Sequence, residues 1–466
     1  MKYDLFKTKY SRFIYKSYSY KQNKLDFDIL FNFQISQNIF FQPKVKIKNI
    51  DAKKLFQIPK EVLDNFVFHL GLIEMISYWK ATCSPKIEIQ AGYLDKNQIK
   101  WWEDLISKGL GEFFYKNKIN FLKKNFIRFD IKSDKKGKRY NEKIKNNILV
   151  PIGGGKDSIV TLEILKREKK DIKLFSLNPT KTTKEVIKTS GLKNPIIVER
   201  QIDKKLLDLN QKGFLNGHTP FSAYLAFLTS LVSLIFDYKY IAVSNERSSN
   251  EGSAKYLGKT VNHQYSKSFD FEKKFRNYSK KYLAKDIEYF SFLRPFYEIQ
   301  IARIFTGLAK YFSVFLSCNE AYKTNTGTKR QDKKWCAKCP KCLFVFLILY
   351  PFLHRKEMQK IFSRNILKDK SLLPIAKELI GEKKTKPFEC VGTRKESLIA
   401  FYLGLKKVKK EGGSIPYLLS YFQDKILPKR ANLEIESKKM LNGWDKNNNL
   451  PKKFEVLLKK YANQRL

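Results

Sequence analysis

The stretch Asn147-Ile148-Leu149-Val150-Pro151-Ile152-Gly153-Gly154-Gly155-Lys156-Asp157-Ser158 decides the fold. An apolar run of strand type stops at three consecutive glycines. Beyond Asp157 and Ser158, the residues Ile159, Val160, Leu162, Ile164 and Leu165 recur at helical spacing. The pattern predicts strand, glycine turn, helix start. The first N–H groups of a helix have no intrahelical partner and face the positive end of its dipole, so such a turn receives phosphate. Glycines let the backbone close on the anion with no Cβ in the way.

Downstream of this turn, strand-like runs at 148–150, 173–177, 195–198, 240–244 and 314–317 alternate with helical stretches such as 221–236. That alternation predicts an α/β fold, a parallel sheet with helices on both faces. Upstream, Leu25, Phe27, Ile29, Phe31 and Phe33 fall on one strand face and Asp26, Asp28 and Asn32 on the other, which predicts a small antiparallel unit. Helices are expected over 61–80 and 97–116, with their aromatics in the core. The polar segment 133–145 reads as a linker, the apolar run 343–352 as a buried helix, and the chain beyond 350 as helical and lysine-rich. Three units follow: an N-terminal α+β domain (1–143), an α/β domain with the glycine turn and a cysteine cluster (144–350), and a C-terminal helical region (351–466).

With 466 residues the chain is too long for one core. Its 92 Lys and Arg against 45 Asp and Glu leave +47, which would attract nucleic acid, anionic membrane or polyphosphate. The basic residues are spread along the chain, and Lys, Asn, Ile, Phe and Tyr are all abundant, so compositional bias accounts for much of the charge. Charge alone does not choose the partner. Six cysteines in this length are no secreted disulfide framework, and four of them fall between positions 318 and 342. No signal-like segment and no bilayer-length apolar run is visible, which predicts a cytoplasmic protein.

Two familiar phosphate loops do not fit the turn. A Walker loop needs Lys followed by Ser or Thr, and Lys156 is followed by Asp157; a dinucleotide fingerprint needs spaced glycines, and these are consecutive. Further polar clusters stand at 244–252 (Ser-Asn-Glu-Arg-Ser-Ser-Asn-Glu-Gly) and 261–268 (Val-Asn-His-Gln-Tyr-Ser-Lys-Ser). Arg247 offers a planar fork for carboxylate or phosphate, and Glu246 and Glu251 suit metal binding or proton transfer. Pro295 predicts a helix start with Glu298 as a first-turn cap, leaving Arg294 as the better anion binder. Cys336, Cys339 and Cys342, joined by Cys318, have the spacing to close on one tetrahedral cation, with zinc first; reduced thiols, a catalytic cysteine and an iron–sulfur cluster are the other readings.

The turn resembles the pyrophosphate loop of the adenine-nucleotide α-hydrolase (PP-loop) superfamily, S/G-G-G-x-D-S, matched by Gly153, Gly154, Gly155, Asp157 and Ser158. That resemblance implies a PP-loop, Rossmann-like domain, binding of ATP through the loop, and attack of a substrate oxygen on the α-phosphate with release of pyrophosphate. Mg²⁺ would be held by Asp157 and the phosphates, and Asn178 would line the adenosine. Related enzymes of deazapurine synthesis carry a four-cysteine zinc site, which favours a structural Zn²⁺ here.

The turn together with 244–252, 262–268, Ser77-Tyr78-Trp79-Lys80, Trp335-Cys336 and Phe388-Glu389-Cys390-Val391-Gly392 resembles a narrower family, the ATP-dependent UDP-N-acetyl-α-D-muramoyl-L-alanyl-L-glutamate epimerases of peptidoglycan synthesis. The partners implied are ATP and the UDP-muramoyl dipeptide. On that resemblance Lys156, Asp157, Glu246, Arg247, His263 and Cys390 are the candidate catalytic groups. Asn245, Arg247, Asn250, Glu251, Gln264, Ser266, Lys267 and Arg294 are the candidate substrate contacts. The rival expectation is a PP-loop enzyme that adenylates a tRNA base or a small carboxylate, for which the positive charge would be direct equipment.

Overall fold

Residues 2–35, 38–168, 171–322 and 335–462 are described by a computed structural model. The alternating residues of the first 50 positions form β1 (Arg12–Asn23), β2 (Asp26–Ile35), β3 (Ile39–Phe41) and β4 (Lys44–Ile47). Next come β5 (Lys86–Ile89), β6 (Arg128–Ile131), β7 (Ile148–Pro151), β8 (Ile172–Leu177), β9 (Ile196–Gln201) and β10 (Tyr240–Val243). A hairpin of β11 (Ala254–Tyr256) and β12 (Lys259–Val261) and a last strand, β13 (Glu288–Ser291), complete the set.

Eleven of these strands share one sheet, in the order β13-β10-β7-β8-β9-β4-β2-β1-β5-β6, with β3 on β2. From β13 to β9 every pairing is parallel. Strands β1 to β4 pair antiparallel as expected, with β5 and β6 added in parallel, but they form no separate sheet: β4 pairs with β9 in antiparallel register, Val45 opposite Arg200. Two cores cover the two faces. Leu149, Phe175, Ile241 and Tyr289 point into one, with the helices Lys60–Trp79 and Phe221–Phe236; Ile148, Val150, Leu174 and Phe290 point into the other, with the helix Lys156–Arg167. Side chains alternate across a pleated strand, so strands covered on both faces are apolar at every position.

The expected helix over 97–116 is two, Lys96–Gly109 and Gly111–Lys116, interrupted at Leu110. The expected strand at 314–317 does not exist. Leu316 N–H donates to Gly154 O at 3.1 Å, so this stretch crosses the glycine turn instead of entering the sheet. The edge position belongs to β13, whose four residues are too few to show a period. Beyond position 350 the described chain is helical apart from its connections, through to the helix Lys452–Lys460.

Chain order matters for the site. From β7 the chain builds outward through β8 and β9, then crosses back to place β10 and β13 on the other side of β7. Loops leaving β7 and β10 therefore diverge, and the crevice between them lies at the carboxyl ends of parallel strands, where open α/β sheets bind ligands.

Candidate active site

The glycine turn occupies that crevice. Gly154 has φ +91°, a conformation that a side chain disfavours, and a Cβ on Gly155 would stand 2.8 Å from Ser317 Oγ. Gly153 is exposed, with nothing within 4 Å of its Cβ direction. Ser158 Oγ donates to Gly155 O at 3.0 Å and closes the first turn of the helix. A cavity of about 280 Å³ opens here, lined among others by Gly153, Gly155, Asp157, Ser158, Ser244, Asn245 and Lys267. Asn245 is held on it by donating to Ser291 Oγ at 3.1 Å.

Beneath the turn lies a buried charge network. Lys156 is only 1% exposed and absent from the cavity lining; its ammonium is bound to Asp157 and lies 2.6 Å from Glu298 Oε2. Lys341 reaches the other oxygen of Glu298 at 3.2 Å. Burial opposes ionisation of Glu298, but Lys156 and Lys341 outweigh it and hold the carboxyl down at about 2. Glu298 is thus the counter-ion of two lysines, a larger role than the helix cap expected of it. Glu246, also buried, has no ion pair among the described residues: burial, with Glu298 and Asp157 adding to it against Lys267, raises its carboxyl to about 7.

Lys267 joins the cavity to a second cluster. Its Nζ lies 3.2 Å from Cys390 Sγ, and His263 lies beside the same thiol. His263 Nδ1 is bonded in turn to Glu112, on the helix Gly111–Lys116. Burial would raise the Cys390 thiol, but Lys267 and His263 bring it to about 6. Burial also disfavours the His263 imidazolium, and Cys390 with Glu112 overcomes this to hold it near 9. Glu112 is held at about 2, its burial outweighed first by the His263 hydrogen bond. His218 completes the group, with ring centroids 4.5 Å from His263, and is pushed down to about 3 by burial and by that neighbour. The cluster therefore sets a thiol, an imidazole, an amine and a carboxyl side by side, each shifted by its neighbours toward its charged form.

Other expected site residues lie elsewhere. Arg294 is fully buried: Nη1 donates to Glu246 O and Ser249 Oγ, and Nη2 to Lys267 O, Ser291 Oγ and Glu272. It braces the two loops that carry Glu246 and Lys267 and meets no anion from solution. Arg247 pairs with Asp445 at 3.2 Å and stacks on Tyr297. Glu251 accepts from Lys386 Nζ and from Arg394 N–H. Asn250 caps the next helix by accepting from Phe269 N–H. Asn178, at φ +46°, clips β8 to β9 through Val198 and both backbone groups of Arg200, and is not on the cavity wall. Ser266 is buried. Gln264 donates to Val391 O at 3.1 Å, while its Oε1 has no partner among the described residues.

Sequence reasoning passed over Glu112, His218 and Lys341. The one signal for Glu112 was a carboxylate among aromatics on a helix read as core, where a charge needs a partner.

Cys318, Cys336, Cys339 and Cys342 converge, with their sulfurs all within 4.8 Å of one another. Lys338 and Cys339 N–H donate to Cys336 Sγ, and Cys342 N–H to Cys339 Sγ, bonds that favour thiolates. Such a set suits a tetrahedral, thiophilic cation. Residues 323–334 between them lie outside the described chain. The knuckle borders the site, because Lys341 N–H donates to Glu389, the neighbour of Cys390, while its Nζ holds Glu298.

These features define an α/β protein with a glycine turn at a sheet reversal point and a cysteine–histidine pair one side chain away. Known families match it on both sides of residue 300: the family model for the MurL N-terminal domain covers residues 5–292, and that for the MurL C-terminal domain residues 314–425. The chain belongs to the MurL family. A UDP-N-acetyl-α-D-muramoyl-L-alanyl-L-glutamate epimerase of Salinispora tropica is 35% identical over 343 residues, 72% of either chain. Relatives of the same name from a Micromonospora species and from Xanthomonas oryzae pv. oryzae are 34% and 32% identical, covering 72% and 78% of this chain and 73% and 80% of their own. Among the described residues no helix is long and apolar enough to cross a membrane.

Proposed function

We propose that this protein is the epimerase its relatives are named for, inverting the terminal L-glutamate of UDP-N-acetylmuramoyl-L-alanyl-L-glutamate, and that it does so by ATP-dependent adenylation. The observation that carries the reading is the single cavity bounded by the glycine turn on one side and by Lys267, with Cys390 behind it, on the other. Activation and proton transfer need adjoining sites, and these adjoin.

The chemistry explains the pairing. Removing the Cα proton beside a carboxylate places a carbanion next to an existing negative charge. Attack of that carboxylate on the α-phosphate of ATP forms an acyl-adenylate and pyrophosphate, removing the charge and acidifying the Cα–H. The glycine turn, read as a PP-loop, receives the polyphosphate on its N–H groups. Asp157 and the phosphates would hold Mg²⁺, a hard cation that takes few protein ligands and offsets phosphate charge. Lys156 acts through Asp157, fixing its carboxylate from below. After deprotonation and return of a proton to the opposite face, hydrolysis releases AMP.

ATP–pyrophosphate exchange that depends on the UDP-muramoyl dipeptide, with chiral analysis of glutamate after turnover in D₂O, tests this. The expected result is dipeptide-dependent exchange, inversion with deuterium at Cα, and loss of exchange in Asp157→Asn. Exchange that depends on tRNA, or inversion without ATP, would overturn it.

A further inference from the structure

A thiol held by an ammonium and an imidazole is an arrangement with a chemical use, because it stores a nucleophilic or basic sulfur at neutral pH. At Cys390 four observations converge. Lys267 Nζ is 3.2 Å from the sulfur and lines the cavity at the glycine turn. His263 lies beside the same sulfur, with its Nδ1 taken by Glu112. Gln264, only 4% exposed, is tied to Val391 beside Cys390 and keeps an acceptor without a partner among the described residues. Finally, Glu112 is anchored by Lys116 as well as His263, so the imidazole ring is fixed from behind. The charged groups facing Cys390 are thus Lys267, His263 and Lys341, and those facing His263 are Glu112 and His218, with Lys116 on the far side of Glu112.

We propose that Cys390 is the base that takes the Cα proton of the activated glutamyl residue, and that Glu112 is the positioning residue that holds its partner His263. The proposal rests on the adenylation reading above. The sulfur lone pair takes the proton, and the C–H electron pair moves into the acyl-adenylate carbonyl, leaving a neutral thiol and an enolate. The carbonyl reforms as a second acid protonates Cα on the other face. Glu246, buried next to Asn245 of the cavity wall and on the loop that Arg294 ties to Lys267, is assigned that role. Water then adds to the acyl carbon, the C–O bond to AMP breaks, and thiol and carboxylate return to their starting states by exchange with solvent.

Two measurements on the full-length protein decide it. In D₂O with ATP, Mg²⁺ and the UDP-muramoyl dipeptide, Cys390→Ser retains ATP–pyrophosphate exchange and loses Cα deuterium uptake by about 100-fold or more, the usual contribution of a general base. Retained exchange also shows that the variant folds. Deuterium uptake at the wild-type rate would overturn the proposal, whereas absence of exchange in the wild type would overturn the adenylation reading and the substrate with it. Independently of turnover, iodoacetamide alkylation of Cys390, followed by peptide mapping, should show a pH midpoint near 6 in the wild type and a higher one in Glu112→Gln. A wild-type midpoint near the ordinary thiol value of 9.0, or no movement in Glu112→Gln, would refute the relay.

Discussion

Lys267 Nζ stands 3.2 Å from Cys390 Sγ, 123 positions away in sequence, and so connects the loop after β12 to the segment that precedes the helix Arg394–Glu411. Through this pair the C-terminal region completes a site whose glycine turn and sheet belong to the preceding 300 residues. The same dependence on distant partners shapes what individual substitutions will do.

Gly154→Ala should destabilise the protein by about 1–2 kcal/mol, because a Cβ is disfavoured at its φ of +91°. Gly153→Ala, whose Cβ would meet nothing within 4 Å, should stay within about 0.5 kcal/mol. Urea unfolding of the two variants measures the contrast, and equal losses would contradict it. Pyrophosphate exchange should fall in Gly154→Ala, since the turn must distort.

Glu298→Gln leaves the buried Lys341 without its counter-charge and Lys156 with Asp157 alone. Breaking a buried ion pair from one side costs about 3–5 kcal/mol. The expected outcome is a large drop in the denaturant midpoint; a loss below about 1 kcal/mol would mean that the lysines find other partners.

The cysteine knuckle should hold one zinc ion per chain by elemental analysis, falling to background in Cys339→Ser. Chelation should lower the melting temperature, since metal that binds only the folded state stabilises it. Because Lys341 links the knuckle to Glu298 and Glu389, chelation should also slow pyrophosphate exchange. Purified protein without metal and with unchanged melting behaviour in chelator would return the four sulfurs to plain reduced thiols.

The value of His263 is raised from 6.5 to about 9, so its pairing contributes stability that is fully present below pH 6.5 and lost as pH rises through 9. The stability difference between wild type and His263→Gln should therefore be larger at about pH 6.5 than at about pH 9.5, by on the order of 2–3 kcal/mol. Denaturant titrations at the two pH values check the sign, and a difference that grows toward alkaline pH would refute it.

The local elements were legible. The strand, glycine turn and helix at 148–167, the helix Phe221–Phe236 and the cysteine spacing each depend on residues within a few positions of one another, and the periodic pattern records them. The strand Glu288–Ser291 was not, being too short for a period, and 314–317 misled because an apolar run that covers a turn resembles a buried strand. Roles of charged residues were less legible still. Arg294 read as an anion binder and is a buried brace; Glu298 read as a cap and neutralises two lysines; Glu112 read as core and carries His263.

By itself, then, the sequence determined which residues have the chemistry and which local turns present them: the three glycines after β7, the four closely spaced cysteines, and the polar loops after β10 and β12. Only the tertiary structure decided which of them meet. Strand order places β10 beside β7 and brings Lys267 to the glycine turn, and the C-terminal region then sets Cys390 against Lys267 and His263. The physical reason is range. Backbone periodicity is set by neighbours, whereas the ionisation state of a buried group is set by whatever charge packing delivers to within a few ångströms, from any distance along the chain.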